Sequence, residues 1–311
     1  MILSVCPNTA LDKVMFIEEW IPGTPMRTDA VTTSVGGKGL NSAVVLRHLG
    51  VETVGIGFFA GEIGQELLDI VENYGIIPEP IWVDGTNRIA HVIAELKTNI
   101  HSHVIAGNVL ISEAQKQEFL DKYQYHLQRA EYVILGGSLP PSINDDFYCE
   151  LIARAQQAGV PTLIDSQKQA MIEAIKSKPD VVKMNWEEFE WTFNLEAKTI
   201  DELVKVAEEF YQAQQIKSLV LTLGKQGILS ISAEGIYLAK APLQKPLNAA
   251  GAGDAVSSTL AWRFLEGDDW ESALRWACAV SAASVLTERT GDVHQEDIDR
   301  IFPQVSIKKI R

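Results

Sequence analysis

The chain is 311 residues long, 46% hydrophobic, and carries a formal net charge of -14. A negative field of that size repels nucleic acid and anionic membranes, so a phosphate-bearing ligand has to be held by a local cluster of cations or by a metal ion. Cys6, Cys149 and Cys278 are far apart and form no CxxC pair, the N-terminus lacks a basic and apolar leader, and no apolar run is long enough to span a membrane, which together predict a soluble cytoplasmic protein with reduced thiols.

From the N-terminus, residues 1–6 read as a short central strand closed by Pro7-Asn8-Thr9-Ala10-Leu11-Asp12. Loops at the carboxyl ends of parallel strands are where open α/β sheets bind ligands, so Asp12 either accepts hydrogen bonds from a polyol or closes a simple Asx turn. Residues 13–35 alternate loosely about Pro22-Gly23, as a hairpin set apart from the core would, and could close over a substrate. In Val35-Gly36-Gly37-Lys38-Gly39-Leu40-Asn41 the glycines permit close approach of backbone to a ligand. Lys38 adds a charge and Asn41 a two-way amide. An amphipathic helix is predicted from Asn41 to a stop at Gly50, and the spacing is not that of a Walker A loop.

Val51–Phe59 is the next predicted strand. Its Gly55-x-Gly57-x-x-Ala60 is not a dinucleotide fingerprint, because Phe58 and Phe59 continue the strand where a helix would have to open. Within a strand-like run from Trp82 to Ala94, Arg88 is either a residue of a half-exposed sheet or a phosphate clamp. His91, His101 and His103 have no acidic or thiol partner at metal-site spacing and are expected to be solvated. Further strands are predicted at 132–135, closed by Gly136-Gly137-Ser138-Leu139-Pro140-Pro141, and at 160–165, 181–185 and 218–223. After the third of these, Asn185 and Glu188 either cap the following helix or hold water around a Mg²⁺ that bridges nucleotide phosphates, with Lys183 as a point charge. Gly224-Lys225-Gln226-Gly227 is a turn whose glycines could admit a nucleotide.

The stretch that organises the rest is Asn248-Ala249-Ala250-Gly251-Ala252-Gly253-Asp254, followed by a buried helix ending near Gly267. Gly251, Ala252 and Gly253 leave no bulk around consecutive backbone N–H groups at a helix N-terminus, where unpaired donors and the macrodipole favour an anion. Asp254 in the first turn either could take a proton from a hydroxyl pointing at that anion, which is the minimum equipment for phosphoryl transfer to an alcohol, or is simply a dipole-stabilised residue after an ordinary tight turn. A last long helix is predicted from Trp270 to Leu286 with Asp268 as its cap.

Taken together, these stretches resemble the ribokinase-like (PfkB) carbohydrate kinases from the first strand to the last helices. The most specific matches are Gly36-Gly37-Lys38-Gly39-Leu40-Asn41 and Asn248–Asp254, in the family's order. Pro7–Asp12, Gly137-Ser138-Leu139-Pro140, Lys183-x-Asn185-x-x-Glu188 and Thr222-Leu223-Gly224-x-x-Gly227 also fall where the family has equivalents. The resemblance implies one α/β domain over residues 1–311, a mostly parallel central sheet with helices on both faces and a small β lid from about 12–35 and 84–106. It implies Asp254 as catalytic base with Gly251, Ala252 and Gly253 as the anion hole. Asp12, Gly37, Lys38, Asn41, Arg88 and Ser138 would bind the substrate; Lys183, Asn185, Glu188, Thr222, Gly224 and Gly227 would bind ATP, with Asn185 and Glu188 holding Mg²⁺ through water. The motif versions look most like the phosphosugar branch of 1-phosphofructokinases and tagatose-6-phosphate kinases, whose phosphate ligand Arg88 matches, and lids in the family imply a homodimer.

This chain departs from the branch around the lid, with Asn87-Arg88-Ile89-Ala90-His91-Val92 in place of the usual Thr-Arg pattern, Thr98-Asn99 in place of Thr-Glu, a displaced Gly107-Asn108, and Ser142 in place of glycine. The expectation is therefore a kinase of a ketohexose monophosphate. A kinase of an unphosphorylated sugar or nucleoside, or a sugar-sensing protein without catalysis, stands as the alternative.

Overall fold

The computed structural model describes residues 1–98 and 100–311, with His101 and His103 as backbone only. The departure noted at Asn99 and the expectation for the side chains of His101 and His103 lie outside the described residues, while His91 is half-buried. In chain order the strands are β1 (Ile2–Cys6), β2 (Ala10–Ile17), β3 (Val31–Gly36), β4 (Thr53–Phe59), β5 (Ile77–Trp82), β6 (Asp84–Glu95) and β7 (Ile100–Leu110). They continue as β8 (Tyr132–Gly136), β9 (Thr162–Asp165), β10 (Val181–Asn185), β11 (Ser218–Thr222), β12 (Ile228–Ser232), β13 (Gly235–Lys240) and β14 (Ser306–Lys309).

Ten of these form one sheet in the order β14-β13-β12-β11-β10-β9-β8-β1-β4-β5. From β11 to β5 every neighbouring pair is parallel, and β12, β13 and β14 add an antiparallel edge. The parallel strands read as near-continuous apolar runs because helices cover both faces. In β1, Leu3 and Val5 face one apolar core and Ile2 the other. The outer helices supply a stripe at helical spacing, as Gly64, Leu67 and Val71 do in Gly61–Asn73, and Leu203, Ala207 and Phe210 in Ile200–Gln214.

The helix Ala252–Leu265 is buried on most sides against its neighbours, Lys38–His48 and Trp270–Ser284. Its hydroxyls bond back to their own helix, Ser258 to the Asp254 carbonyl at 2.6 Å and Thr259 to that of Ala255 at 2.7 Å, so they stay satisfied without solvent. The remaining strands form a second sheet in the order β3-β2-β6-β7, which extends the expected lid slightly at both ends.

Two local expectations are corrected. The first helix starts at Lys38 rather than Asn41, because Gly37 (φ 93°) makes the break from β3 and the chain is helical at once. The long helix Trp270–Ser284 is capped by Asp269, whose side chain accepts the Ser272 N–H at 2.8 Å; Asp268 is instead held by Arg263 at 2.7 Å.

Candidate active site

The carboxyl ends of β1, β8, β9, β10 and β11 open onto one crevice, on either side of the place where the strand order reverses between β8 and β1. The helix starting at Ala252 aims its N-terminus into that crevice. Gly251 precedes it in the left-handed region (φ 81°), and a Cβ there would lie 2.9 Å from the Thr290 methyl, so both backbone and space require glycine. Asn248 braces the turn, accepting from the Ala250 N–H at 2.9 Å and donating to the Glu288 carbonyl at 3.1 Å. The N–H groups of Gly253 and Asp254 have no partner within the helix by its geometry and face the crevice mouth.

Asp254 is 6% exposed and accepts the Asn41 Nδ2–H at 2.8 Å. Burial, and then the negative charge of Asp165, push its carboxyl up to about 6, against the pull of Lys183, Lys38 and the Asn41 hydrogen bond. A carboxylate with that affinity is ionised at neutral pH and still accepts a proton readily. The amide oxygen of Asn41 is buried without a protein partner. Asp12, on β2, is half-buried and lies against Gly36, where a Cβ would sit 2.1 Å from its Oδ1. Burial and the charge of Asp254 raise Asp12 to about 7.

Beneath the helix N-terminus is a buried ion cluster. Lys183 (2% exposed) donates to Asp165 Oδ2 at 2.6 Å, and a Cβ on Gly253 would come within 2.6 Å of the Lys183 Nζ. Lys38 bridges Asp165 Oδ1 at 2.7 Å and Glu188 Oε1 at 2.8 Å. Burial works against the Lys38 charge, but the two carboxylates outweigh it and raise its pKa. Burial likewise disfavours ionised Asp165, and the two ammonium groups overcome this and hold it down at about 2. Glu188 also completes a capping box with Asn185: its N–H donates to Asn185 Oδ1 at 2.7 Å and its Oε2 accepts the Asn185 N–H at 3.0 Å. The capping alternative is therefore realised, with one Glu188 oxygen left on Lys38 at the crevice.

Next to Gly253 a cavity of about 500 Å³ is bounded by Asn185, Thr222, Gly224, Gly227, Cys278 and Val285. Its walls are mostly apolar with glycines at the turn, which suits a flat base, and it opens toward the helix N-terminus, which suits phosphates. On the opposite side of Asp254, Asn8 donates to Ser138 Oγ at 3.1 Å and Arg88 donates to the Asn8 carbonyl at 2.7 Å. Of the expected residues, Asn185, Thr222, Gly224, Gly227, Ala252 and Gly253 border the cavity, Lys38, Lys183 and Glu188 meet in the ion cluster, Asn41 holds Asp254, and Ser138 and Arg88 meet at Asn8. Asp165 and Asn87 were not singled out from the sequence. The signal for Asp165 was its place at the carboxyl end of a predicted strand, the same position that marked Asn185; Asn87 carried none beyond its departure from the usual threonine.

A model of the pfkB family of carbohydrate kinases matches residues 5–297. The chain belongs to that family. Tagatose-6-phosphate kinase of Staphylococcus epidermidis is 25% identical over 312 residues, covering 100% of both chains. A 1-phosphofructokinase of Vibrio cholerae is 27% identical over 310 residues, covering 99% of this chain and 97% of that one. Phosphofructokinase-2 of Escherichia coli, in complex with substrates and products, shares the fold with a TM-score of 0.89 over 97% of this chain and 98% of that one at 22% identity. The fold is accordingly ribokinase-like, and this pfkB chain is an ATP-dependent carbohydrate kinase whose relatives place it in the phosphosugar branch. Among the described residues no helix is long and apolar enough to cross a membrane.

Proposed function

We propose that this kinase transfers the γ-phosphoryl group of ATP to a hydroxyl of a ketohexose monophosphate of the fructose-1-phosphate or tagatose-6-phosphate type, with Asp254 as general base. The observation that carries this is one buried carboxylate, held by Asn41 in the first turn of a helix whose N-terminal residues Ala252 and Gly253 border a nucleotide-sized cavity. ATP would lie in the cavity bounded by Thr222, Gly224 and Gly227, its phosphates turned to the N–H groups of Gly251, Ala252, Gly253 and Asp254. Asn41, through its unpartnered amide oxygen, and Asp12 would hold sugar hydroxyls, so the acceptor oxygen faces Asp254. Gly37 and Ser138 would let the sugar approach the β1 and β8 ends, and Arg88 would take its phosphate.

Mg²⁺ would be held through water on the crevice wall formed by Glu188 and Asn185, whose side-chain oxygens each accept one hydrogen bond and keep a second lone pair for a coordinated water. When bound, the ion neutralises charge between nucleotide phosphates. Lys38 is placed at that wall rather than beyond it, and we assign it to the transferring phosphoryl group and the sugar side alike. Residues 1–311 would then act as one catalytic domain, with the four-stranded sheet as a lid, in an ATP-replete cytoplasm. The lid exposes Val31 (48%) and Val104 (60%) on one face of its sheet and Ile105 (56%) on the other, apolar area suited to a second copy of the chain. Light scattering at micromolar concentration should give a dimer; a monomer would remove that assignment.

A coupled ADP-release assay over free ketohexoses, their monophosphates and nucleosides tests the substrate. A ketohexose monophosphate should give the highest kcat/KM. Arg88→Ala should raise KM for that acceptor roughly 10- to 100-fold, the loss of one charge-assisted contact, and change KM for the free sugar far less. Equal effects on both would point to an unphosphorylated substrate, and no turnover of any acceptor to a sensing protein.

A further inference from the structure

We infer that Asn87 is the positioning residue for Arg88: it locks a bulge in β6 that sends the arginine into the substrate pocket and fastens the small sheet to the large one. The inference rests on Arg88 meeting the substrate phosphate. Thr86 pairs with Asn108 and Ile89 with Ala106, so Asn87 and Arg88 together oppose the single residue Gly107. That is the geometry of a β-bulge, which re-aims side chains beside active sites. Gly107 is held at φ 112°, and a Cβ on it would lie 2.7 Å from the Asn87 carbonyl and 2.9 Å from the Arg88 Cα, so the bulge needs glycine there. The displaced glycine of the sequence is thereby explained.

At the bulge the two neighbouring side chains part. Arg88 turns to the Asn8 carbonyl at the end of β1. Asn87, 2% exposed, turns into the junction of the sheets, where its Nδ2 donates to Thr9 Oγ1 at 2.6 Å and to the Phe58 carbonyl at 3.1 Å, and its Oδ1 accepts the Ala60 N–H at 2.6 Å. Thr9 belongs to the same loop as Asn8, and Ala60 caps the Gly61–Asn73 helix. Space for the amide is kept by Gly64, whose Cβ would meet the Asn87 Oδ1 at 2.7 Å. One buried amide therefore ties the strand that carries Arg88 to the loop Arg88 touches and to the end of β4. A hydroxyl in its place could not both donate twice and accept once at these three points. Since a misplacement of about 1 Å can cost on the order of 100-fold in a positioned reaction, this hub sets how well the arginine meets a phosphate.

The test is a double-mutant cycle with fructose-1-phosphate and tagatose-6-phosphate as acceptors. Asn87→Ala should raise KM for the accepted phosphosugar at least tenfold, on the order of the Arg88→Ala effect, with KM for ATP within twofold of the parent. Asn87→Ala/Arg88→Ala should be no worse than Arg88→Ala, because Asn87 acts through the arginine. Gly107→Ala, which disturbs the bulge without touching the amide, should reproduce the KM defect and guards against loss of folding in the first variant. If Arg88→Ala raises KM while Asn87→Ala and Gly107→Ala do not, or if the double variant multiplies the two defects, the inference is overturned. If Arg88→Ala itself has no effect on the phosphosugar, it is the substrate assignment that fails.

Discussion

Asp254→Asn should lower kcat by about 10²- to 10⁴-fold, the range of a single general base, while KM for both substrates moves little. The exchange is isosteric and the new amide oxygen can still accept the 2.8 Å hydrogen bond from Asn41, so the pocket keeps its shape and loses only the proton acceptor. The carboxyl is raised to about 6 by burial and by the charge of Asp165. Only its ionised form can take the proton, so kcat of the parent should climb with pH through about 6 and then level, whereas the Asn variant should lack that limb. Stability should move the other way. A carboxyl whose affinity is higher in the folded state than its usual 3.8 binds a proton more tightly when folded, so it costs stability as pH rises from about 4 to about 6 and the loss persists above. At pH 8 the Asn variant should therefore melt above the parent. Full turnover in the Asn variant, or a pH profile identical to that of the parent, would remove Asp254 as the base.

How far the site could be read beforehand depended on whether its residues advertised themselves locally. Gly251, Gly253 and Asp254 did so only in company: alone they read as an ordinary turn into a helix, and they pointed to a kinase site because Gly36–Asn41 and the other stretches stood in the family's order. Gly37, Lys38 and Asn41 did so for the same reason. The β-α alternation announced the sheet, since buried parallel strands need continuous apolar runs. Asp165 and Asn87 were silent because what they do is defined only by distant partners: Asp165 meets Lys38 127 positions away, and Asn87 meets Thr9 78 positions away. The start of the first helix was misplaced by the same limit. Lys38 has good helix propensity, and nothing in the local pattern told the helix from the glycine loop until the φ of Gly37 was fixed by its packing on Cys6.

The silent aspartate should matter most to the fold. Asp165→Asn removes the carboxylate shared by Lys38 and Lys183, leaving Lys183 at 2% exposure with no ion pair among the described residues and just the unbonded charge of Asp254 nearby, and Lys38 paired with Glu188. Breaking a buried pair from one side costs roughly 3–5 kcal/mol, because the desolvation of the remaining charge is no longer offset. The denaturant midpoint at pH 7 should fall accordingly with the slope unchanged. The pH dependence has a definite sign. Asp165 is held at about 2, below its usual 3.8, so its ionised form stabilises the fold above about 4 and that contribution is lost as pH falls toward about 2. The Asn variant should lack this acid step. Asp165→Asn/Lys183→Met should recover part of the loss, since the orphaned ammonium is then gone and its methylene stem is kept as apolar bulk. A single Asn variant within about 1 kcal/mol of the parent would mean that water reaches Lys183, and that the cluster beneath Gly253 is not the buried electrostatic support of the anion site.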